Sequence, residues 1–173
     1  SGKVVFDSSV TIDGSIVQAS GSSGGGSALA ANPLVEFGTF SGSSVVIQSN
    51  TGNISFGSTG HLIQNTTFQP ANNSKVTLDG ALDSPNTPRA LVINTSGSSG
   101  AAYINNDIGN VFGGVGSISV NSSNIFFNGT GTKSIKTQLP GGQTYSGPVK
   151  ITSTTQQFVA GNGGGLDFQN TLK

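Results

Sequence analysis

The stretch that decides the fold is residues 44–60, SVVIQSNTGNISFGSTG, because a second stretch repeats its pattern. Residues 117–131, SISVNSSNIFFNGTG, match it when two residues are skipped. Both stretches alternate β-branched residues, pass through an Asn-rich polar corner, and reach Asn-Ile-x-Phe followed by a glycine turn. A repeat made of short strands and corners predicts a β-solenoid, in which each coil stacks on the one before.

The composition agrees with an all-β chain. Of the 173 residues, 33% are hydrophobic and only 8% are charged, with a formal net charge of zero. The seven basic residues are scattered, so the chain has no cluster of cations for nucleic acid, and no apolar run is long enough for membrane insertion. Cysteine is absent, which excludes disulfides and thiolate metal sites. Because the chain begins at Ser1 without an initiator Met or a signal peptide, we expect a processed or excised segment.

Short β-rich runs recur along the whole chain, and Gly, Asn and Ser separate them. Alternation predicts that one to three side chains of each strand point inward, for example those of Val45 and Ile47. The Gly/Ser-rich stretch 19–31 reads as a loop from a single solenoid domain at 1–173, or from a segment of a longer solenoid. Strands are predicted at 3–6, 9–13, 34–37, 44–48, 53–56, 75–79, 90–94, 101–104, 117–121, 124–128, 148–152, 157–160 and 165–168.

A β-sandwich with Greek-key strands remains the alternative fold. Asn128-Gly129 and Asp79-Gly80 are dipeptides that favour two-residue hairpin turns, and hairpins join antiparallel strands.

The C-terminal half is similar to a known class of repeats. The segment Gly142–Val149, GQTYSGPV, together with ALVINT at 90–95 and GGGLDF at 163–168, resembles the repeats of filamentous-haemagglutinin-like bacterial surface adhesins of the two-partner-secretion type. The resemblance covers about residues 75–170. It implies a right-handed parallel β-helix that serves as a stalk or an adhesive surface outside the cell, and it implies no catalytic residues.

Within this segment, Pro140-Gly141-Gly142 reads as a corner between coils. Residues 143–145 read as a short strand with Tyr145 at its edge, and Gly147-Pro148 as the next turn.

Signals for enzymatic chemistry are weak. His61 is the only histidine, and it reads as an exposed or corner residue. Asp79 and Asp83 are close in sequence, but Pro85 and Pro88 favour turn-capping aspartates over a catalytic pair. Residues 105–107, Asn-Asn-Asp, could offer oxygen ligands to calcium, although an Asx-rich turn is the simpler interpretation. We therefore predict no catalytic residue, no cofactor and no metal.

Phe126-Phe127 carries a different signal, because adjacent strand residues face opposite sides of a sheet. One ring should lie outside the core, either buried under a loop such as 19–31 or available for contact. We name Phe126, Phe127 and Tyr145 as a possible interaction surface.

Two functions from different classes follow from these patterns. The first is an extracellular or bacterial cell-surface structural and adhesive module, which extends a stalk or assembles into a filament. Its partners would be itself and a cell-surface glycan or protein. The alternative is a β-helical domain that binds or cleaves polysaccharides.

Overall fold

The fold of the chain was obtained as a computed structural model. It describes residues 4–6, 9–12, 14, 16–18, 35–38, 44–110, 113–138 and 140–173. All regular secondary structure within these ranges is β-strand. The predicted loop at 19–31 lies outside the described residues.

The described residues form nineteen strands in three sheets, and every strand pair among them is parallel. Sheet A contains β1 (Val4–Phe6), β4 (Val35–Phe37), β7 (Gly60–Leu62) and β10 (Leu82–Asp83), and it continues through a single bridging residue, Ile108, to β15 (Thr132–Lys136) and β18 (Thr155–Val159). Sheet B contains β2 (Val10–Ile12), β5 (Val45–Ser49), β8 (Thr66–Gln69), β11 (Ala90–Asn94), β13 (Ser117–Asn121), β16 (Gln143–Tyr145) and β19 (Leu166–Phe168). Sheet C contains β3 (Ile16–Gln18), β6 (Ile54–Phe56), β9 (Lys75–Leu78), β12 (Ala101–Ile104), β14 (Asn124–Phe127) and β17 (Val149–Ile151).

The chain visits sheets A, B and C in turn, so each round is one coil of a β-solenoid. Five of the coils, the first four and the sixth, carry one strand in each of the three sheets. The other two each lack one strand: in the fifth coil sheet A is reduced to the bridge at Ile108, and in the last coil sheet C is reduced to a bridge between Leu172 and Val149. The solenoid prediction is confirmed, and the Greek-key sandwich is wrong because such a sandwich requires antiparallel pairs. The right-handed winding stays a prediction.

The internal repeat corresponds to equivalent positions in the coils. Val45 and Ile118 occupy one inward column of sheet B, with Thr66 and Leu91 between them. In sheet C, Phe56 and Phe127 likewise share a column. Each column stacks side chains at the spacing of neighbouring strands, about 4.8 Å. A thin interior is therefore filled by one or two apolar residues per strand.

The interior holds two aromatic clusters. Phe37, Phe56 and Phe68 pack edge-to-face or tilted, with ring centroids 5.0–5.3 Å apart. The second cluster, toward the C-terminal end, contains Phe127, Tyr145, Phe158 and Phe168. Aliphatic side chains fill the coils between them. Full burial of one large apolar side chain stabilises a fold by roughly 1.5–3 kcal/mol, so these columns hold the coils together.

Glycines make the corners between sheets tight. A Cβ at Gly141 would collide with the backbone carbonyl of Gly116 on the preceding coil, and a Cβ at Gly147 would collide with the carbonyl of Ser122. Successive coils therefore stack backbone on backbone at these corners, which only glycine permits. The predicted corner at Pro140-Gly141-Gly142 and the turn at Gly147-Pro148 are both present.

Candidate interaction surface

The two adjacent phenylalanines of β14 face opposite sides of sheet C. Phe127 is fully buried in the core, whereas Phe126 is half-buried on the outer face. The alternation predicted from sequence is therefore confirmed, and of this pair only Phe126 can belong to a surface.

Tyr145 lies in the core instead of at an edge. Its side chain is fully buried, and its ring stacks on Phe168 at 5.0 Å. Burial raises the pKa of its phenol far above the ordinary value. Tyr145 and Phe127 are thus core residues, so the prediction that these two side chains belong to an interaction surface was wrong.

Phe126 has an aromatic neighbour that the sequence did not reveal. Tyr103 on β12 pairs in register with Phe126, and the two rings are parallel within 7°, with centroids 4.7 Å apart. The separation equals the spacing of neighbouring strands, so in-register pairing alone brings the rings together. Both rings are half-buried.

Two lysines extend this arrangement. The Lys75 ammonium lies 5.6 Å from the centroid of the Tyr103 ring, within the range of a cation–π contact. Lys150 on β17 pairs in register with Phe126 and is exposed. We call Lys75, Tyr103, Phe126 and Lys150 the aromatic column.

A ladder of polar side chains runs beside the aromatic column, at the residues that directly follow the ends of β9, β12, β14 and β17. The Asn105 amide donates to Asp79 Oδ1 at 2.6 Å, and the Asn128 amide donates to Asn105 Oδ1 at 3.1 Å. The Thr152 hydroxyl donates to Asn128 Oδ1. We call these four residues the polar ladder. It joins four coils by side-chain hydrogen bonds, as stacked Asn side chains do in other parallel β structures.

Sheet B presents a different outer face. Its five strands from β5 to β16 contain no charged residue. The outward column through Val46, Thr67, Val92, Ser119 and Thr144 consists of small side chains. The lysines and the aromatic column therefore distinguish sheet C from its neighbour.

The single histidine is placed by sheet A. His61 pairs in register with Glu36 on one side and with Asp83 on the other. His61 is 6% exposed, and Asp83 is completely buried. The expectation of an exposed or corner histidine was wrong, and so was that of Asp83 as a turn cap, because Asp83 lies in β10. Asp79 is apart from this group, in the polar ladder.

The Asn-Asn-Asp stretch at 105–107 is an Asx-rich turn. The Asp107 amide donates to Asn106 Oδ1 at 2.9 Å, and Asp107 Oδ1 accepts from the Ser134 amide at 2.7 Å. The second of these hydrogen bonds joins two coils. Among the described residues no group of three or more His, Asp or Glu side chains is arranged to hold a metal ion.

A shallow groove of about 340 Å³ follows the corner between sheets A and B. Prolines 88 and 140 and Gln138 line it, together with small residues of the glycine corner. No titratable side chain contributes to the lining of the groove, so the lining provides no group for acid–base chemistry.

Comparison of the chain with protein-family models, with curated proteins and with solved structures gives no match. Across the described ranges, no helix has the length and apolar character needed to cross a membrane.

Proposed function

We propose that this chain is a structural and adhesive module of an extracellular β-solenoid, a stalk or fibre whose sides present polar and aromatic surfaces. The single observation that carries the proposal is the continuity of the inward columns. They run in register from coil to coil with one sheet order throughout. A chain built in this way can be lengthened by adding coils of the same pattern.

The last coil supports stacking of a further coil. Leu166 and Leu172 occupy the same columns as Gln143 and Val149 one coil earlier. Gln143 and Val149 are 0% and 1% exposed, whereas Leu166 and Leu172 are 43% and 53% exposed. A further coil on this end would bury both leucines and pair the open strand edges of β18 and β19.

The test is self-association of the protein. Negative-stain microscopy and sedimentation velocity at increasing concentration should show rods about one solenoid wide that lengthen with concentration. Leu166→Lys with Leu172→Lys should shorten the rods, because two ammonium groups would have to enter the interior. Thr67→Lys, on the outer face of sheet B, is the matched control and should leave the rods unchanged.

A monomer at every concentration, or rods equally long in the lysine double variant, would contradict stacking at this end. The adhesive role has separate support in the aromatic column and the polar ladder, which also favour the carbohydrate-binding alternative over a cleaving domain.

A further inference from the structure

We infer that the aromatic column and the polar ladder together form a binding site for an acidic polysaccharide whose sugar units carry carboxylates. The inference rests on the adhesive part of the proposed function and names the ligand class of that surface. The ligand chain would run along the solenoid axis, across sheet C from the third coil to the sixth.

The rings supply an apolar platform. Parallel rings in van der Waals contact are about 3.5 Å apart, so a centroid distance of 4.7 Å corresponds to a sideways offset of roughly 3 Å. An offset stack leaves part of the ring faces uncovered, in agreement with the partial exposure of Tyr103 and Phe126. The C–H surface of a sugar ring can pack there.

The lysines supply the charge. Lys75 and Lys150 are both exposed, and their strands are three strand spacings apart, or about 14 Å. Among the described residues of sheet C and the polar ladder, the Asp79 carboxylate, which accepts a hydrogen bond from Asn105, is the one negative charge, and the two lysines outnumber it. Two cations at the ends of the rings thus suit a ligand with repeated negative charges.

The polar ladder supplies hydrogen bonds to hydroxyl groups. Each side-chain amide carries two donor hydrogens and an acceptor oxygen. The ladder uses one hydrogen of Asn105 and one of Asn128. The ladder does not use the second hydrogen of either amide, and a polyhydroxylated ligand carries oxygens that can accept it.

A protein partner fits this surface less well. Stable protein interfaces bury about 800 Å² on each partner around an apolar centre. Here two half-buried rings form the whole apolar centre, and amides, hydroxyls and lysines surround them. The ligand suited to this arrangement is narrow, hydroxylated and anionic.

The experiment measures binding of the protein to galacturonate oligomers of increasing length by calorimetry, and its retention on polygalacturonate, dextran sulfate and dextran. Affinity should rise with oligomer length until the ligand spans both lysines, and then level off. Lys75→Gln with Lys150→Gln should weaken binding about tenfold, and so should Tyr103→Leu with Phe126→Leu. Lys136→Gln, a lysine of sheet A, is the matched control and should change affinity less than about twofold.

Circular dichroism establishes that each variant is folded before binding is compared. Equal binding by the lysine double variant and the wild type overturns the site, as does the absence of binding to polygalacturonate. Retention by dextran sulfate alone overturns the choice of a carboxylate, and retention by dextran overturns the role of charge. The Leu166→Lys/Leu172→Lys variant should still bind polygalacturonate. Loss of rod formation therefore tests the proposed stacking of coils, and loss of polygalacturonate binding tests this site separately.

Discussion

The Tyr145 hydroxyl donates a hydrogen bond to Gln143 Oε1 over 2.8 Å inside the apolar interior. Gln143 Nε2 in turn donates to the carbonyls of Ile135 and Val159, both at 3.0 Å. The Gln143 side chain, which comes from sheet B, thereby crosses the core and binds two strands of sheet A, β15 and β18. Because both side chains are fully buried, their polar atoms depend on one another for partners.

Tyr145→Phe should lower the free energy of unfolding by about 1–3 kcal/mol, because Gln143 Oε1 loses its donor while buried. Gln143→Leu should also destabilise the fold. The double variant should be more stable than the sum of the two losses predicts, since the first change already breaks the shared bond. Urea denaturation of all four proteins measures the coupling, and strictly additive losses would contradict it.

Stability should decline at alkaline pH because of Tyr145. Its pKa is raised by burial in the folded chain, whereas in the unfolded chain it ionises near pH 10. The stabilising contribution is complete below pH 10. It is lost as the pH rises further, by up to about 1.4 kcal/mol per pH unit, because only the unfolded state releases the proton.

Denaturant midpoints measured from pH 8 to pH 11.5 test this dependence. The Tyr145→Phe variant should show a shallower alkaline decline than the wild type. Parallel curves would mean that Tyr145 ionises in the folded chain as readily as in the unfolded one.

Gly141→Ala should destabilise the fold by roughly 1–3 kcal/mol, because its methyl group collides with the Gly116 carbonyl and forces two coils apart. Gly165→Ala serves as the control, because a Cβ there meets no atom within 4 Å. Its effect should stay within about 0.5 kcal/mol. Thermal melting of both variants gives the comparison, and equal melting temperatures would disprove the contact at the corner.

Alanine substitutions of Phe126 and Phe127 should differ in their effect on the free energy of unfolding, because one ring lies on the surface and the other in the core. Phe127→Ala should lose about 3–5 kcal/mol, because it leaves a cavity in the second aromatic cluster. Phe126→Ala should lose about 1 kcal/mol, since it removes only a half-buried ring stacked on Tyr103. Chemical denaturation distinguishes the two, and a larger loss at position 126 would reverse the assignment of faces.

The sequence predicted the coils wherever two inward positions of a strand were apolar. Val45 with Ile47 and Ile118 with Val120 illustrate this pattern. Some strands with a polar residue at an inward position were missed, such as Thr66–Gln69, where Thr66 is buried beside Phe68, although the strand 143–145, whose Gln143 points inward, was predicted. Thr132–Lys136 was missed as well, because it contains a single large apolar residue, Ile135. Alternation of hydrophobicity cannot show a strand whose inward side chains are partly polar.

The candidate site was only partly visible, because its members come from different coils. The sequence identified Phe126 through its position beside Phe127, but Tyr103, Lys75 and Lys150 carry no local signal. Coil length also varies: along one register position of sheet A, the step from Val4 to Val35 is 31 residues and that from Gly60 to Leu82 is 22. Corners absorb these differences, so no fixed period relates residues that become neighbours.

The parallel pairing of every coil with the next has a mechanical consequence. The backbone hydrogen bonds between coils point along the solenoid axis. A force that pulls on the two ends of the solenoid therefore stretches these hydrogen bonds. The end coil should peel away first, and each coil of 21 to 38 residues should release up to about 70–140 Å of chain. In an optical trap, a stalk built of such coils would lengthen in successive steps and would dissipate mechanical energy as its coils unfold.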